Sequence, residues 1–108
     1  VFGDKSGDLL ILSWGGTQGA CRSAAEALIN DGRKVSHIHL RWINPLPNDL
    51  GELLLKFKHV LVPEINLGQL IKIIRAEYLI DAIGLNKVKG KPISSAEIQD
   101  NVKKILEK

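Results

Sequence analysis

The sequence lacks residues that would mark several classes of protein. Cys21 is the only cysteine in 108 residues, so no internal disulfide can form and a reducing, cytoplasmic location is expected. Methionine is absent even at position 1, and we therefore expect a domain excised from a longer polypeptide. The longest apolar run, Leu9 to Trp14, is far below the roughly 20 residues of a membrane span. Neither a membrane segment nor a charged-then-apolar leader is predicted.

Aromatic residues and charge of one sign are also scarce. Aromatics make up 5% of the chain, and the formal net charge is only +3. Residues 1–54 carry five Lys and Arg against six Asp and Glu, whereas residues 55–108 carry ten against six. Such a modest surplus without interleaved aromatics argues against nucleic acid and leaves an anionic ligand or an acidic partner open. The 44% hydrophobic content matches one globular domain over residues 1–108.

Strand-like and helix-like segments alternate along the chain. Near-continuous apolar runs are typical of strands covered on both faces, and residues at helical spacing follow each run. Short turns between them predict a three-layer α/β/α domain with a mostly parallel open sheet and right-handed crossovers. The densest runs, LLILSW and VLVPE, should lie at its centre. Strands are predicted at residues 8–14, 34–40, 59–65 and 80–88, with a further edge strand before Gly7, and helices begin near Thr17, Asn48, Leu67 and Ser94.

Motifs that hold cofactors are missing from the sequence. The spacing of Gly15, Gly16 and Gly19 does not match a dinucleotide fingerprint, and no Walker lysine follows. Without a C-x-x-C pair, an iron–sulfur cluster of the usual kind is excluded. His37 and His39 share one face of a strand, but they have too few further ligands for a metal site. We interpret them as edge or interface residues.

The first distinctive strand-to-helix junction is SWGGTQGA. Its turn, formed by Gly15, Gly16, Thr17 and Gln18, could direct backbone N–H groups and a helix N-terminus toward an anion. A simpler interpretation is that Gly19 and Ala20 let the helix pack tightly on the sheet. The spacing favours the tight-packing interpretation, and anion binding by this turn stays as the alternative.

The second junction, VPEINLGQLIKIIR, places the carboxylate of Glu64 at the end of an apolar strand. Because an unpartnered buried carboxylate is costly, Glu64 should accept from backbone N–H groups or pair with a cation such as Arg75. Asn66 is suited to cap the next helix, and Gly68 would leave its first turn open to close approach. Turn chemistry alone would also explain this stretch.

Polar residues three apart follow on that helix. Gln69, Lys72 and Arg75 lie along one side, away from the apolar stripe, so they should face outward together. A solvated helix face is the simplest explanation. Trp42, Ile43 and Leu46 lie on a proline-bounded loop, and exposed apolar residues of this kind mark interaction sites. We expect this loop and the helix starting near Leu67 to contact other domains or subunits.

Four stretches together resemble the alpha subunit of 2-oxoacid:ferredoxin oxidoreductases, and specifically its C-terminal, transketolase-C-terminal-like domain. The resemblance covers nearly the whole chain, and its most specific part is E-x-N-x-G-Q with a following arginine. That pattern is formed by Glu64, Asn66, Gly68, Gln69 and Arg75. The four stretches are WGG, INPLP, VPEINLGQLIKIIRAEYL and KVKGKPISSAEI.

The resemblance implies oxidative decarboxylation of a 2-oxoacid with coenzyme A, which gives an acyl-CoA, carbon dioxide and reduced ferredoxin. It implies thiamine diphosphate, Mg²⁺ and iron–sulfur clusters for the whole enzyme, held by other domains of the alpha subunit and by the beta subunit. This fragment would hold no cofactor, would be inactive alone and would have no catalytic residue. Its site residues would position an interface or ligand, with ferredoxin and coenzyme A as further partners of the assembly.

Two other interpretations stay open. The chain could be a stand-alone anion- or nucleotide-binding module that uses the Gly15 to Gln18 turn. It could also be the C-terminal domain of another thiamine-diphosphate enzyme, such as a 2-oxoacid dehydrogenase beta chain. The sequence does not choose between substrate contact by Arg75 and a purely structural role.

Overall fold

Four parallel strands form one sheet that helices cover on both faces. The structure, a computed structural model, describes residues 1–41, 49–65, 69–78, 80–87 and 93–107. No helix in these ranges is long and apolar enough to cross a membrane. The strands are β1 (Gly7–Trp14), β2 (Val35–Leu40), β3 (Phe57–Ile65) and β4 (Ile83–Lys87). The helices are α1 (Gln18–Asn30), α2 (Leu50–Leu54), α3 (Gln69–Tyr78) and α4 (Ser95–Leu106), and a 3₁₀ turn, Gly15–Thr17, leads into α1.

The sheet has the order β2-β1-β3-β4, which places the two most apolar strands at its centre. Leu9 of β1 pairs with Val35 of β2 on one side and with His59 of β3 on the other, all in parallel. This confirms the predicted fold class and the central position of LLILSW and VLVPE. The predicted edge strand before Gly7 is reduced to one antiparallel bridge, between Phe2 and His37.

Two apolar layers hold the helices to the sheet. Because side chains alternate along a strand, Leu9 and Ile11 pack toward α1 and α4, whereas Leu10 and Leu12 pack toward α2 and α3. The layer under α1 and α4 is completed mainly by Cys21, Ala24, Ala25, Leu28, Val35, Leu61, Ile93, Ile98 and Val102. The opposite layer is completed mainly by Leu40, Leu50, Leu54, Phe57, Val60, Val62, Leu70, Ile71, Ile74 and Ala82. The predicted three-layer arrangement is therefore present.

Sequence signals predict three helix ends: Thr17 as the N-cap of α1, Gly32 as its C-terminal stop and Ser94 as the N-cap of α4, and the structure bears out the last two. Gly32 ends α1 at φ +83°, and the N–H groups of Gly32 and Arg33 donate to the carbonyls of Ile29 and Leu28, as in a Schellman motif. Ser94 caps α4 by accepting from the N–H of Glu97 at 3.1 Å, as its sequence pattern predicts. Thr17 does not cap α1. Its hydroxyl donates back to the Trp14 carbonyl at 3.2 Å, because a 3₁₀ turn precedes the helix.

The connections diverge between the two central strands. From β1 the chain passes through α1 to β2, at one edge of the sheet. From β3 it passes through α3 to β4, at the opposite edge. Because α1 and α3 cover opposite faces, a crevice is expected outside the carboxyl ends of β1 and β3. This topological switch point is where open α/β sheets usually bind their ligands, and both distinctive sequence junctions lie there.

Candidate functional site

Glu64 lies at the switch point and is 2% exposed. One carboxylate oxygen accepts from the backbone N–H of Leu70 at 2.6 Å, and the other accepts from the N–H of Ile71 at 3.1 Å. These are N–H groups of the first turn of α3, which have no acceptor within the helix. The carboxylate thus caps α3 and places a negative charge at the positive end of its dipole. The prediction that Glu64 accepts from backbone N–H groups is confirmed.

The third partner of Glu64 is the indole of Trp14. Its Nε1–H donates to the same oxygen that accepts from Leu70, at 2.8 Å. The pairing follows from strand register, since Ile11 lies opposite Leu61 and three further residues bring Trp14 level with Glu64. Local sequence patterns do not give this pair, because it depends on β1 and β3 being neighbours. We call Trp14, Glu64 and the N–H groups of Leu70 and Ile71 the Glu64 clamp.

The Glu64 clamp occupies the place where a ligand would bind. An anion at the N-terminus of α3 would need the N–H groups of Leu70 and Ile71, which already donate to Glu64. Trp14, on the same side of the sheet, is half-buried and packs against the apolar layer under α2 and α3. The arrangement ties the end of β3 to the start of α3.

Several predicted site residues lie outside the described part of the chain. Asn66 and Gly68 fall between β3 and α3, and the side chain of Gln69 is likewise not described. The loop with Trp42, Ile43 and Leu46 is outside the described residues as well. Their roles in capping and in contacts with other domains stay predictions.

Arg75 does not pair with Glu64. Its Nε and one terminal nitrogen donate to the carbonyl of Ala82, at 3.1 and 2.6 Å. Arg75 and Lys72 are both exposed, as the outward row predicts. The guanidinium therefore ties α3 to the segment that enters β4. Glu64 does not need Arg75 as a partner, because its carboxylate already accepts from three N–H donors.

The glycine-rich turn lies beside the clamp, at the carboxyl end of β1. Gly15, with φ +66°, Gly16 and Gln18 are exposed, whereas Thr17 is buried. The part of the close-packing interpretation that rests on Gly19 is wrong, whereas Ala20 is partly buried and packs against the apolar layer under α1 and α4. Gly19 is exposed, and a Cβ added there would meet no heavy atom within 4 Å.

A buried polar cluster, which the sequence did not predict, lies on the α1 side of the sheet. The Ser13 hydroxyl is 2.7 Å from Nε2 of His37 and 2.9 Å from Nδ1 of His39. One hydroxyl proton can serve only one ring, so the other ring must donate. Nδ1 of His37 is buried and has no partner among the described residues. Since a bare ring nitrogen is tolerated better than an orphan N–H, we assign His37 Nε2–H as donor to Ser13 and Ser13 as donor to His39.

Burial keeps this cluster neutral. It lowers the pKa of His37 to about 4, with smaller contributions from the positive charge of Arg22, from the charge that His39 carries when protonated, and from the N-terminus. Burial also lowers the pKa of His39, helped by Arg41. As predicted, both histidines lie on an edge strand, but His37 is only 1% exposed. The cluster is a satisfied polar junction between β1 and β2, apart from one ring nitrogen.

The described side chains do not fit the metal ions and iron–sulfur clusters that the sequence resemblance implies. Burial raises the pKa of the Cys21 thiol to about 11, so the thiolate that a metal requires is disfavoured. Within the described ranges, no three His, Cys, Asp or Glu side chains come together as a metal cluster would require. An iron–sulfur cluster usually needs four cysteines, and the sequence contains one.

Comparisons with known proteins agree on one group of enzymes. The chain is 42% identical over 97 residues to the 2-oxoglutarate oxidoreductase subunit KorA of Mycobacterium tuberculosis, a match that covers 88% of the chain and 15% of that subunit. It is 32% identical over 110 residues to the alpha subunit of 2-oxoacid:ferredoxin oxidoreductase 2 of Aeropyrum pernix, covering 99% of the chain and 17% of the relative. No protein-family model matches.

A solved structure supports the same grouping. The 2-oxoglutarate:ferredoxin oxidoreductase from Magnetococcus marinus, with 2-oxoglutarate, coenzyme A and succinyl-CoA bound, aligns with a TM-score of 0.87 and 35% identity. The alignment covers 96% of this chain and 18% of that one. The chain therefore spans less than a fifth of the length of each of these three proteins.

Proposed function

Since this chain belongs to the alpha-subunit family of 2-oxoacid:ferredoxin oxidoreductases, we propose that it is an accessory domain that shapes the assembled enzyme without doing chemistry. The whole enzyme would oxidatively decarboxylate a 2-oxoacid with coenzyme A to an acyl-CoA and carbon dioxide, and would pass the electrons to ferredoxin. The relatives named above support this proposal. We expect the enzyme to be cytoplasmic.

The hydrogen bonds of the Glu64 clamp are the observation that supports an accessory role for this domain most directly. The family pattern places a carboxylate at the switch point, where a catalytic acid or base would be expected. Its oxygens instead accept from Trp14, Leu70 and Ile71, so Glu64 holds the junction between β3 and α3. Asn66, Gly68 and Gln69 follow within that junction. In our proposal, the clamp ties the end of β3 to the start of α3 so that these two elements can meet another domain or the beta subunit.

In our proposal, the cofactors of the whole enzyme are held outside residues 1–108. Thiamine diphosphate, Mg²⁺ and iron–sulfur clusters would supply decarboxylation and electron transfer in the whole enzyme, on other domains and on the beta subunit. Residues 1–108 contain no Gly-Asp-Gly sequence of the thiamine-diphosphate kind and one protonated, buried cysteine. Anion binding by Gly15, Gly16, Thr17 and Gln18, and contact of Arg75 with substrate or coenzyme A, stay predictions.

The test is a reconstitution. The full-length alpha subunit is co-expressed with its beta subunit, and ferredoxin reduction is followed with 2-oxoglutarate or pyruvate, with and without coenzyme A. We expect reduction that requires both a 2-oxoacid and coenzyme A. The 108-residue chain alone, checked for folding by circular dichroism, should bind neither acid in calorimetry. Saturable binding by the chain alone would place the substrate site in this domain and contradict the proposal.

A further inference from the structure

A cleft lies at the end of the sheet opposite the switch point, where the strands begin. Its volume is about 510 Å³, which is within the size range of small-molecule sites. Six residues of an extended strand separate Asp8, in the cleft, from Trp14, so the cleft is roughly 20 Å from the Glu64 clamp. We call it the amino-end cleft, and its polar lining consists of Asp8, Arg33, Lys34, Lys58 and His59.

Positive charge is concentrated at the amino-end cleft. Arg33 and Lys34 come from the segment before β2, and Lys58 comes from the start of β3. Asp8 is the one acid among the described lining residues. Three cations against one acid give a surplus of two positive charges here, whereas the whole chain has a surplus of three. This cleft therefore accounts for much of the basic excess of the sequence.

Neighbouring acids hold these cations only weakly. Lys58 Nζ is 3.6 Å from the Asp8 carboxylate, and Arg33 Nε is 3.6 Å from the Asp31 carboxylate. Ion pairs of this length between solvent-exposed side chains contribute little to stability. Nε of Arg33 is buried and has no hydrogen-bond partner among the described residues, and in the same part of the chain Lys34 has no ion pair. Several donors are thus left for a ligand.

Fold requirements explain some of these cations but not all. Arg33 and Lys34 follow the C-terminus of α1, where the helix dipole favours positive side chains. Lysine on a strand often protects a sheet edge from pairing with another chain. Lys58 cannot have that purpose, because β3 lies between β1 and β4, and its side chain is 77% exposed. A ligand is the remaining reason for a cation at this position.

We propose that the amino-end cleft binds a compact phosphate-bearing anion with the closely spaced charges of a diphosphate group. The planar guanidinium of Arg33 can donate two parallel hydrogen bonds to a phosphate, and the ammonium groups of Lys34 and Lys58 add mobile point charges. Leu106 is the one large apolar side chain among the described lining residues, so charge rather than apolar burial would hold the ligand. The inference goes beyond the accessory role, because it gives this domain a ligand of its own.

Calorimetry with inorganic pyrophosphate tests the proposal on the full-length alpha subunit assembled with beta. The assembly is first saturated with thiamine diphosphate and coenzyme A, so that any diphosphate sites of these two molecules are filled, and free Mg²⁺ is removed. We expect saturable binding that Lys58→Gln and Arg33→Gln each weaken roughly tenfold or more. Lys72→Gln removes the same charge from the exposed face of α3 and should stay within about twofold of wild type.

Three outcomes would overturn the inference. One is the absence of saturable binding. Another is equal binding by Lys58→Gln and Lys72→Gln, which would indicate a general effect of charge. The third is a wild-type assembly that binds no pyrophosphate while Lys58→Gln lowers the yield of assembled enzyme, which would mean that an acidic partner segment covers the cleft. Failure of the wild-type assembly to reduce ferredoxin with a 2-oxoacid would contradict the proposed function instead, and calorimetry would still decide the inference.

Discussion

At the scale of single residues, Glu64 stabilises the fold because its carboxylate accepts from three N–H donors. Hydrogen bonds to a charged group contribute roughly 1.5–3 kcal/mol each, and an unpaired buried donor costs roughly 1–3 kcal/mol. The carboxylate satisfies two N–H groups of α3 and the indole of Trp14 at once. A glutamine cannot do so, because its amide nitrogen would face one of these donors.

Glu64→Gln is therefore expected to lower the free energy of unfolding by roughly 1–3 kcal/mol. Glu64→Ala should cost more, since all three donors lose their acceptor. Urea denaturation of the purified chain measures both, and Glu52→Gln, on the short helix α2, is the control. Equal stability of Glu64→Gln and wild type would show that the clamp contributes little.

The Ser13, His37 and His39 cluster predicts a dependence of stability on acid. The pKa of His37 is about 4 in the folded chain, below the ordinary value of 6.5. Between these two pH values the unfolded chain therefore binds a proton at His37 that the folded chain does not. Stability contributed by neutral His37 is complete above pH 6.5 and is lost as the pH falls toward 4.

His37→Gln should flatten the change in unfolding free energy between pH 6.5 and pH 4, a change of at most about 3 kcal/mol for a shift of this size. Denaturation at a series of pH values measures the slope. His59→Gln, which removes a histidine outside the cluster, is the matched control. A wild-type slope in His37→Gln would contradict the assignment.

At the scale of elements, the sequence predicted most strands and helices because each carries its own signal. Apolar density marked β1 and β3, and Gly32 and Ser94 marked helix ends that the structure confirms. The neighbours of Glu64 and Ser13 could not be predicted in this way. Trp14 is 50 residues from Glu64, and His37 is 24 residues from Ser13, so both contacts depend on strand order. Apolar density placed β1 and β3 at the centre of the sheet, but it gives neither their register nor which strand lies beside β1 on its other edge.

The link between α3 and β4 is a second prediction at this scale. Arg75 holds the Ala82 carbonyl with two donors, so Arg75→Ala should lower stability by roughly 0.5–1.5 kcal/mol. Hydrogen exchange at residues 80–84 should rise as well. Lys72→Ala, an exposed change on the same helix, is the matched control and should leave both unchanged. Unchanged exchange in Arg75→Ala would indicate that the contact does not hold the entry into β4.

At the scale of the whole molecule, the domain has the topology of a ligand-binding α/β sheet with its switch point filled by its own side chains. Trp14 and Glu64 occupy that point, and the exposed turn with Gly15, Gly16 and Gln18 lies beside it. Such a domain can fix the relative positions of its neighbours while the chemistry takes place elsewhere. Its contribution to the enzyme would therefore appear in assembly and stability rather than in substrate affinity.

Steady-state kinetics of the assembled enzyme with Glu64→Gln in the alpha subunit tests this claim most directly. We predict that KM for the 2-oxoacid and KM for coenzyme A stay within twofold of wild type, while the unfolding temperature or the yield of assembled enzyme falls. A rise of tenfold or more in either KM, with assembly and unfolding temperature unchanged, would mean that Glu64 acts on the substrate, and the account of an accessory domain would be wrong.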